Sequence, residues 1–280
     1  MITKSTRGSE WRKWDLHVHT PASDGTGTPE QIVDTAISKG LSVIAITDHH
    51  TTDYIDKVKE VAKDKNLTVI SGIEFRSEYG AKSVHFIAYF PEEYNGTKLT
   101  SQNLYELILC KLKLSKAEII AKAKSLKSYS NEDKAFHEGI FLLQVNLKEA
   151  AELIHSYGGI ISVHNGQKSN GLDEEVKHKG TAPKNVRTLD ECLGPLKEEL
   201  MNNYIDICDL GVSDDDNERE FYLKQFNTPS ILASDAHRYE NIGSSFSWIK
   251  ANPSFEGLKQ IIYEPVTRVS LQTEKDFIYS

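Results

Sequence analysis

The sequence predicts an α/β fold, a TIM-like barrel of about seven strands that alternate with helices and are interrupted by one helical insertion. Short β-branched runs alternate with amphipathic helical stretches, the pattern of repeated βα units and a mainly parallel sheet. The chain has 280 residues, enough for one large barrel, and its 39% hydrophobic and 26% charged residues are close to globular averages. We therefore expect one domain over residues 1–280, with the insertion at about 92–145.

The first half of the chain begins with a predicted strand at 14–18. A helix follows, with Thr28 as N-cap, Pro29 at the first helical position, Gln31 completing a capping box and Gly40 at the end. The next elements are a strand at 42–46, predicted to be buried by its continuous apolar run, a helix at 52–64, and strands at 67–73 and 83–89.

The segment 92–145 breaks this alternation. It is helical and lysine-rich around 114–127, and it is long for a connection, so we expect a lobe that covers one end of the barrel. The alternation then resumes with a helix at 146–157 capped by Asn146 and Glu149, strands at 160–163, 205–210 and 230–233, helices near 188–203 and 215–225, and a closing strand, helix and strand at 245–271.

Composition limits the classes of protein to consider. No apolar run approaches the roughly 20 residues of a membrane span, and the basic, polar start lacks a secretory signal, so we expect a cytoplasmic protein. Cys110, Cys192 and Cys208 are odd in number and far apart, which indicates reduced thiols. The net charge of −8 argues against a broad grip on a nucleic-acid backbone but allows a locally basic cleft.

Histidines and carboxylates follow the predicted strands. His17 and His19 in DLHVHT are two residues apart on a strand, so their side chains leave on the same face. The others are Asp24 in the next loop, Asp48, His49 and His50 after the second strand, Glu74 after the third, His85 in the fourth, His164 after the fifth, and Asp235 and His237 after the seventh. Barrel enzymes place catalytic groups at this face.

These residues together predict a metal site, although each motif alone is weak because short patterns recur by chance. A single histidine after a strand is more often a hydrogen-bonded structural residue. Burying so many ionisable groups without a cation would cost on the order of several kcal/mol per group. Divalent metals remove that penalty, and a mixture of imidazole and carboxylate suits Zn, Mn or Fe better than Mg.

Five other residues are expected not to bind metal directly. His50 and Asp48 are expected to orient ligands through hydrogen bonds. His155 lies in an amphipathic helix and is expected to be structural, while His137 in the insertion and His178 in a loop are expected to be solvated.

In order along the chain, DLHVHT, Asp24, TDHH, GIEF, SVHF, SVHN and SDAH resemble the motifs of the polymerase and histidinol phosphatase (PHP) superfamily, over about residues 14–268. The resemblance implies a distorted seven-stranded barrel with three divalent metal ions at its C-terminal mouth. It implies a first site of His17, His19, Glu74 and Asp235, a second of Glu74, His85 and His164, and a third of Asp24, His49 and His237.

The start of the chain, WRKWDLHVHTPASDG, also resembles PHP modules that are fused to an ATPase. This implies an ATPase domain or partner, in cis or in trans. The chain contains no GxxxxGK[ST] loop, so it is not itself that ATPase.

The predicted activity is hydrolysis of a phosphate ester by a metal-activated hydroxide. Asp235 and His237 are the catalytic candidates, and His237 is the candidate proton donor to the leaving alkoxide. Arg76, Lys168 and Arg238 are candidate phosphate contacts, and the loop 165–187 adds Lys177, Lys179, Lys184 and Arg187. In the family a Pro and an Arg often follow the His164 position, whereas here the run is HNGQK, so we expect Lys168 to replace that Arg.

Three functions stay open at this point. The first is a phosphoesterase for a small phosphorylated metabolite or nucleotide, which the acidic net charge favours. The second is a nuclease or phosphodiesterase acting on nucleic acid, which the likeness to ATPase-fused modules favours. The third is a non-catalytic, metal-stabilised regulatory module, and the complete set of nine ligand positions argues against it.

Overall fold

A computed structural model describes residues 10–80, 82–166, 168–173, 189–211 and 216–271. The strands are β1 (Trp11–Val18), β2 (Leu41–Ile46), β3 (Thr68–Arg76), β4 (His85–Phe90), β5 (Glu93–Tyr94), β6 (Thr97–Lys98), β7 (Ile160–His164), β8 (Ile207–Leu210), β9 (Ser230–Leu232), β10 (Ser247–Lys250) and β11 (Val269–Ser270). The α-helices are α1 (Pro29–Ser38), α2 (Ile55–Ala62), α3 (Ser101–Leu104), α4 (Lys116–Leu126), α5 (Glu132–Gly139), α6 (Leu147–Ser156), α7 (Leu189–Asn203), α8 (Asp216–Phe226), α9 (Phe255–Tyr263) and α10 (Pro265–Arg268).

Nine strands form one sheet in the order β11-β10-β1-β2-β3-β4-β7-β8-β9. The segment after β9 returns to β1, because the Ala236 amide donates to the His17 carbonyl at 3.2 Å and the His19 amide donates to the Ala236 carbonyl at 3.0 Å. These bonds close the sheet between the segment after β9 and the C-terminal end of β1. The predicted distorted α/β barrel is confirmed.

Strand direction departs from the mainly parallel sheet that the sequence predicts. Only residues 77–84 connect β3 to β4, too few for the crossover of about a dozen residues that parallel neighbours need. β4 is therefore antiparallel to both β3 and β7. As a result His85 is the first residue of its strand, rather than lying near its end, and it still reaches the mouth because it pairs with Arg76 at the end of β3.

A bulge in β1 sets the direction of the histidines. Asp15 pairs with Ile44 and Val18 with Ile46, so Leu16 and His17 together lie opposite one residue of β2. Leu16 belongs to a hydrophobic core shared with helix α9, while His17 faces the polar cluster described below. Bulges beside functional sites redirect side chains in this way.

The helix boundaries follow the predicted caps. The Thr28 hydroxyl accepts the Gln31 amide at 3.3 Å, and the Gln31 side chain accepts the Thr28 amide at 2.9 Å, so the capping box is confirmed. Gly40 has φ 72°, the left-handed conformation that favours glycine just after a helix. Asn146 caps α6 by accepting the Glu149 amide at 3.0 Å.

The segment 92–145 contains the β5–β6 hairpin, α3 with a π-helical continuation, and the packed pair α4 and α5. It touches the mouth at two points. His137 Nδ1 lies 3.1 Å from the Ser23 carbonyl oxygen, and the ring of Phe141 lies 5.2 Å from that of His49. His137 is exposed, as predicted, but this hydrogen bond ties α5 to the loop after β1. In the described ranges, no helix has both the length and the apolarity to cross a bilayer.

Candidate metal centre

Glu74, at the end of β3, lies at the centre of the histidine cluster and is 1% exposed. Its Oε2 lies 3.3 Å from His17 Nε2 and 3.2 Å from His19 Nε2. Its Oε1 lies 2.7 Å from His85 Nδ1. Burial opposes ionisation, but the surrounding imidazoles outweigh it and hold the pKa of Glu74 well below its usual value. Glu74 is therefore a carboxylate shared by neighbouring groups of donors.

The first of these groups joins β1 to the segment after β9. His17 Nε2 and His19 Nε2 are 3.0 Å apart, and Asp235 Oδ1 lies 3.3 Å from the former and 3.4 Å from the latter. Burial of His17 opposes protonation, yet the Asp235 and Glu74 carboxylates raise its pKa to about 9. Two imidazole nitrogens this close together need a proton or a cation between them.

His164, the last residue of β7, has one nitrogen free for a ligand. Its Nδ1 lies 3.3 Å from the Ser169 carbonyl, which can accept only the Nδ1 proton. Its Nε2 lies 3.6 Å from Glu74 Oε1 and is buried without a hydrogen-bond partner among the described residues. Burial lowers the pKa of His164 to about 3, so the ring is neutral. An orphaned neutral nitrogen beside a carboxylate fits a metal ligand.

His85 has two hydrogen-bond donors beside Nε2 and the Glu74 carboxylate beside Nδ1. Arg76 Nη1 lies 3.1 Å and Asn170 Nδ2 lies 3.0 Å from Nε2, while Nδ1 faces Glu74. A guanidinium can only donate, so Nε2 accepts and Nδ1 carries the proton. His85 can bind a cation through Nδ1 only if Arg76 leaves Nε2, because a neutral imidazole has one lone pair.

A third group of donors lies nearer to solvent. His237 Nε2 is 3.1 Å from Asp24 Oδ2, His49 Nε2 is 4.0 Å from the same oxygen, and His19 Nδ1 is 3.3 Å from Asp24 Oδ1. His237 Nδ1 lies 3.0 Å from the Asp235 carbonyl, which fixes the proton on that nitrogen and leaves Nε2 for Asp24 or a cation. Burial raises the pKa of Asp24, but His237 and its neighbours outweigh this and lower it to about 2.

These donors fit the coordination of divalent transition metals. In each of four groups the nitrogen and oxygen atoms lie within 4.8 Å of one another: His19, Asp24, His49 and His237; His17, His164 and Asp235; His17, His19 and Glu74; and His49, Glu74 and His85. All nine predicted ligand positions occur in these groups. The structure therefore brings together residues that the sequence separates by more than two hundred positions.

Two buried carboxylates at this site were missed by sequence analysis. Asp209 in β8 is fully buried, and its Oδ2 lies 3.2 Å from His17 Nδ1 and 2.6 Å from Lys168 Nζ. Asp15 in β1 accepts hydrogen bonds from the amide and hydroxyl of Ser234, the residue before Asp235. The available signal was an aspartate within an otherwise apolar strand. Such runs were used only to predict buried strands, and the aspartate itself was not considered.

Asp48 and His50 make the hydrogen bonds expected of supporting residues. Asp48 accepts from the amide and hydroxyl of Thr20, at 2.7 and 2.6 Å, and from the Ser23 hydroxyl at 2.5 Å, so it shapes the loop that contains Asp24. His50 Nε2 accepts the Arg76 amide at 3.1 Å. His155, expected to be structural, contacts Asp206 at 2.9 Å, away from the cluster.

The candidate phosphate contacts lie at different depths. The Lys168 ammonium is 8% exposed and lies 3.9 Å from Asp235 Oδ2, within the cluster. Arg76 lies next to the cluster, where its guanidinium contacts His85. The Arg238 side chain is 70% exposed, and its Nε lies 3.6 Å from Glu240 Oε2, which is not one of the nine cluster residues. The predicted contacts Lys177, Lys179, Lys184 and Arg187, and His178, lie outside the described residues.

Comparison with known families agrees with the family resemblance of the sequence motifs. A model of the PHP domain matches residues 15–193, which is more than half of the chain. The chain belongs to the PHP domain family. The family predicted from the motifs is confirmed.

Relatives with an assigned function match the chain over a limited segment. A 5'-3' exoribonuclease of Haemophilus influenzae is 34% identical over 76 residues, covering 27% of this chain and 28% of that protein. A 3',5'-nucleoside bisphosphate phosphatase of Chromobacterium violaceum is 30% identical over 73 residues, 26% of each chain. A phosphoribosyl 1,2-cyclic phosphate 1,2-diphosphodiesterase of Eggerthella lenta is 37% identical over 82 residues, covering 28% of this chain and 31% of that protein. The match thus spans less than a third of each relative.

Solved structures resemble this PHP chain over most of its length. A protein of Bifidobacterium adolescentis, described as a candidate metal-dependent phosphoesterase, aligns over 94% of this chain and 98% of its own, with a TM-score of 0.51 and 18% identity. An amidohydrolase of Chromobacterium violaceum aligns over 82% of this chain and 89% of its own, with a TM-score of 0.52 and 16% identity. At these identities the likeness establishes the fold.

Proposed function

We propose that this PHP chain is a metal-dependent phosphoesterase that binds three divalent ions, with Zn, Mn or Fe as the candidates. The observation that supports this most strongly is the position of Glu74. Its two carboxylate oxygens lie between separate groups of imidazoles, as expected of a carboxylate that bridges two metals. Imidazole-rich sites with several carboxylates favour these metals over Mg.

The proposed ligand sets follow the three groups of donors. The first site uses His17, His19, Glu74 and Asp235, the second uses Glu74, His85 and His164, and the third uses Asp24, His49 and His237. When bound, such ions lower the pKa of water and stabilise charge on a phosphoryl group. The neutral rings of His49 and His164, whose pKa values burial lowers to about 4 and 3, are already in the protonation state that ligation needs.

Residues of the chain supply the remaining functions of the site. Lys168 and Arg76 place two cationic groups at the edge of the cluster, where they would attract and orient the phosphoryl oxygens. The guanidinium of Arg76 is held against His85 until a phosphate or a cation changes that contact. Arg238 is exposed at the rim and would steer an anion towards the mouth rather than bind the reacting group.

The proposed substrate is a small phosphate ester, with a nucleotide as the first candidate. The net charge of −8 disfavours extended contact with a nucleic-acid backbone, whereas a local pair of cations suffices for one phosphate. A named relative acts, by its name, on nucleoside bisphosphates. A second candidate is removal of nucleotides from an RNA end, because another relative is named a 5'-3' exoribonuclease.

The two candidates are separated by one set of assays. The protein, loaded with manganese, is given nucleoside monophosphates, nucleoside bisphosphates and end-labelled RNA, and released phosphate and shortened RNA are measured. The proposal predicts phosphate release from the mononucleotides. Shortening of RNA without phosphate release would favour the second candidate, and no product from any substrate would favour a non-catalytic module.

Variants connect any activity to the cluster. His17→Ala and Asp235→Asn are expected to lower kcat/KM by at least about a thousandfold, corresponding to about 4 kcal/mol of transition-state stabilisation. His155→Ala is the matched control, since its contact is with Asp206 and not with the cluster. Retained far-UV circular dichroism would exclude unfolding as the cause.

A further inference from the structure

Asp209 is a buried carboxylate that lies between two cationic or proton-donating groups of the candidate site. We propose that Asp209 is a positioning residue that keeps the proton of His17 on Nδ1, leaves His17 Nε2 open for a metal, and holds Lys168 at the mouth. This inference rests on the proposed function, because it gives Nε2 a ligand role.

One oxygen of Asp209 holds both partners. Oδ2 lies 3.2 Å from His17 Nδ1 and 2.6 Å from Lys168 Nζ. Lys168 Nζ itself lies 3.3 Å from His17 Nδ1. All three side chains are buried: Asp209 and His17 are 0% exposed and Lys168 is 8% exposed. The contacts therefore form in a region from which water is largely excluded, where electrostatic interactions are strong.

Asp209 decides between two tautomers of His17. An ammonium group can only donate a hydrogen bond, and so can an Nδ1–H group. When His17 is neutral, as metal binding requires, and the carboxylate is present, both groups donate to Oδ2 and the lone pair of His17 remains on Nε2, which faces Glu74 and Asp235. Without the carboxylate, Lys168 is close enough to donate to His17 Nδ1. The ring proton would then move to Nε2 and block the nitrogen that faces the cluster.

The energetics of Asp209 indicate a role other than fold stability. Its Oδ1 is buried without a hydrogen-bond partner in the part of the chain that is described. Leaving a buried acceptor unsatisfied is unfavourable, and replacing a buried ion pair by apolar residues is often neutral or stabilising. An apolar side chain would serve β8 at least as well, so the carboxylate is better explained by what it does to His17 and Lys168.

Two residues shortly before Lys168 are anchored by hydrogen bonds as well. The Asn165 amide donates to the Asp209 carbonyl at 3.0 Å, and the Gly166 amide donates to Asp173 at 3.1 Å. Asp173 is in turn held by Lys197 and by the Tyr222 hydroxyl. Because these anchored residues lie near Lys168 and its ammonium is 3.3 Å from His17 Nδ1, we expect the ammonium to stay beside His17 when the carboxylate is removed.

The test measures metal affinity rather than activity. Metal-free protein is titrated with manganese and zinc, and bound metal per chain is determined for the wild type, Asp209→Asn, Lys168→Met and the double variant. Asp209→Asn is expected to weaken binding by about 10- to 100-fold, the range seen when a partner of a metal-bound histidine is removed. Asp206→Asn is the matched control, because it removes a carboxylate–histidine contact from the segment before β8, away from the mouth.

The double variant distinguishes positioning from a general structural effect. If Lys168 is what forces the wrong tautomer, adding Lys168→Met to Asp209→Asn is expected to recover part of the lost affinity, about 3-fold of a 10-fold loss or about 10-fold of a 100-fold loss. Lys168→Met alone is expected to bind metal within about threefold of the wild type. These two variants remain informative if Asp209→Asn alone does not fold, since the inference predicts that the double variant binds metal more weakly than Lys168→Met.

Three results would overturn the inference: wild-type metal affinity in Asp209→Asn, a double variant no tighter than a folded Asp209→Asn, or a double variant as tight as Lys168→Met. They are distinguishable from failure of the proposed function. In that case the wild-type protein itself would bind no transition metal.

Discussion

His50 is a fully buried imidazole next to the candidate ligand His49, and its properties give a pH prediction. Burial, aided by the nearby charge of Arg76, lowers its pKa to about 3 from a usual value of 6.5. The unfolded chain therefore takes up a proton at this ring as the pH falls below 6.5, and the folded protein does not until about pH 3. The contribution of this ring to stability is present above pH 6.5 and is lost as the pH falls.

His50→Gln tests this, because the glutamine amide cannot be protonated and its oxygen can still accept the Arg76 amide. We expect the free energy of unfolding of the wild type, relative to that of the variant, to fall by about 1.4 kcal/mol per pH unit between roughly pH 6 and pH 4. Urea unfolding of metal-free protein at several pH values measures this difference. His155→Gln controls for the loss of an imidazole, and a constant difference across the range would contradict the prediction.

His237 has two predicted roles, metal ligand and proton donor, and both would need the same nitrogen, Nε2. Its Nδ1 is bonded to the Asp235 carbonyl, so only Nε2 is left to bind a metal or to protonate a leaving group. We expect His237→Gln to bind one metal ion fewer per chain than the wild type, because Nε2 faces Asp24 in the third group. Full metal content with an altered pH profile of kcat would instead indicate a proton donor. His137→Gln is the control, since it lies on the neighbouring insertion.

Individual residues show what the sequence could and could not predict. The nine candidate ligand positions were predictable because each lies near the end of a strand, in the loop after it or at its start, and each has a side chain that can bind metal. Asp209 was missed because its proposed role depends on contacts with Lys168 and His17, which are distant from it in the sequence. The contact between Arg76 and His85 was also missed, because it depends on β4 being antiparallel.

Helix α1 follows the first histidine strand, and its start is fixed by local sequence alone. Thr28 and Gln31 exchange hydrogen bonds, and Thr28 lies four residues after the candidate ligand Asp24. We expect Thr28→Ala to destabilise the protein by about 1 kcal/mol, the usual cost of losing an N-cap, with little change in metal content. Chemical denaturation measures the loss. Ser38→Ala, at the other end of the same helix, is the control and should cost less, and equal effects would contradict the role of the cap.

At the level of elements, the sequence predicted helix and strand positions well and strand direction poorly. Caps and apolar runs are local signals, so α1, β2 and α6 lie close to their predicted ranges. Direction depends on whether a connection can cross the sheet. The short segment 77–84 excluded a helical crossover, and that observation was sufficient to predict the β3–β4 hairpin. The bulge in β1 has no comparable local signal.

The whole molecule is expected to depend on metal for much of its stability. The cluster brings Glu74, Asp24 and Asp235 together with six imidazoles at one mouth of the barrel. A metal that binds only the folded state, present at a hundred times its dissociation constant, stabilises the folded protein by about 2.7 kcal/mol. For a chain of this size we expect a chelator to lower Tm by about 5–10 °C for each such metal removed. Differential scanning calorimetry with and without chelator measures this, and re-addition of manganese should restore Tm.

An unchanged Tm after complete removal of metal would contradict that expectation. His17→Ala provides an internal comparison, because it should already have a lowered Tm and respond less to the chelator. An ATPase domain or partner stays a prediction from the start of the sequence, and it does not affect these measurements.

The central claim is that side chains from His17 to His237 form one centre for divalent metals. Anomalous diffraction from crystals of the purified protein, collected at the Zn, Mn and Fe edges, tests it directly. We predict three anomalous peaks: one between His17, His19, Glu74 and Asp235, one beside His164 and His85, and one beside Asp24 and His237. An ordered cluster with no anomalous peak in crystals grown with these metals would contradict the claim.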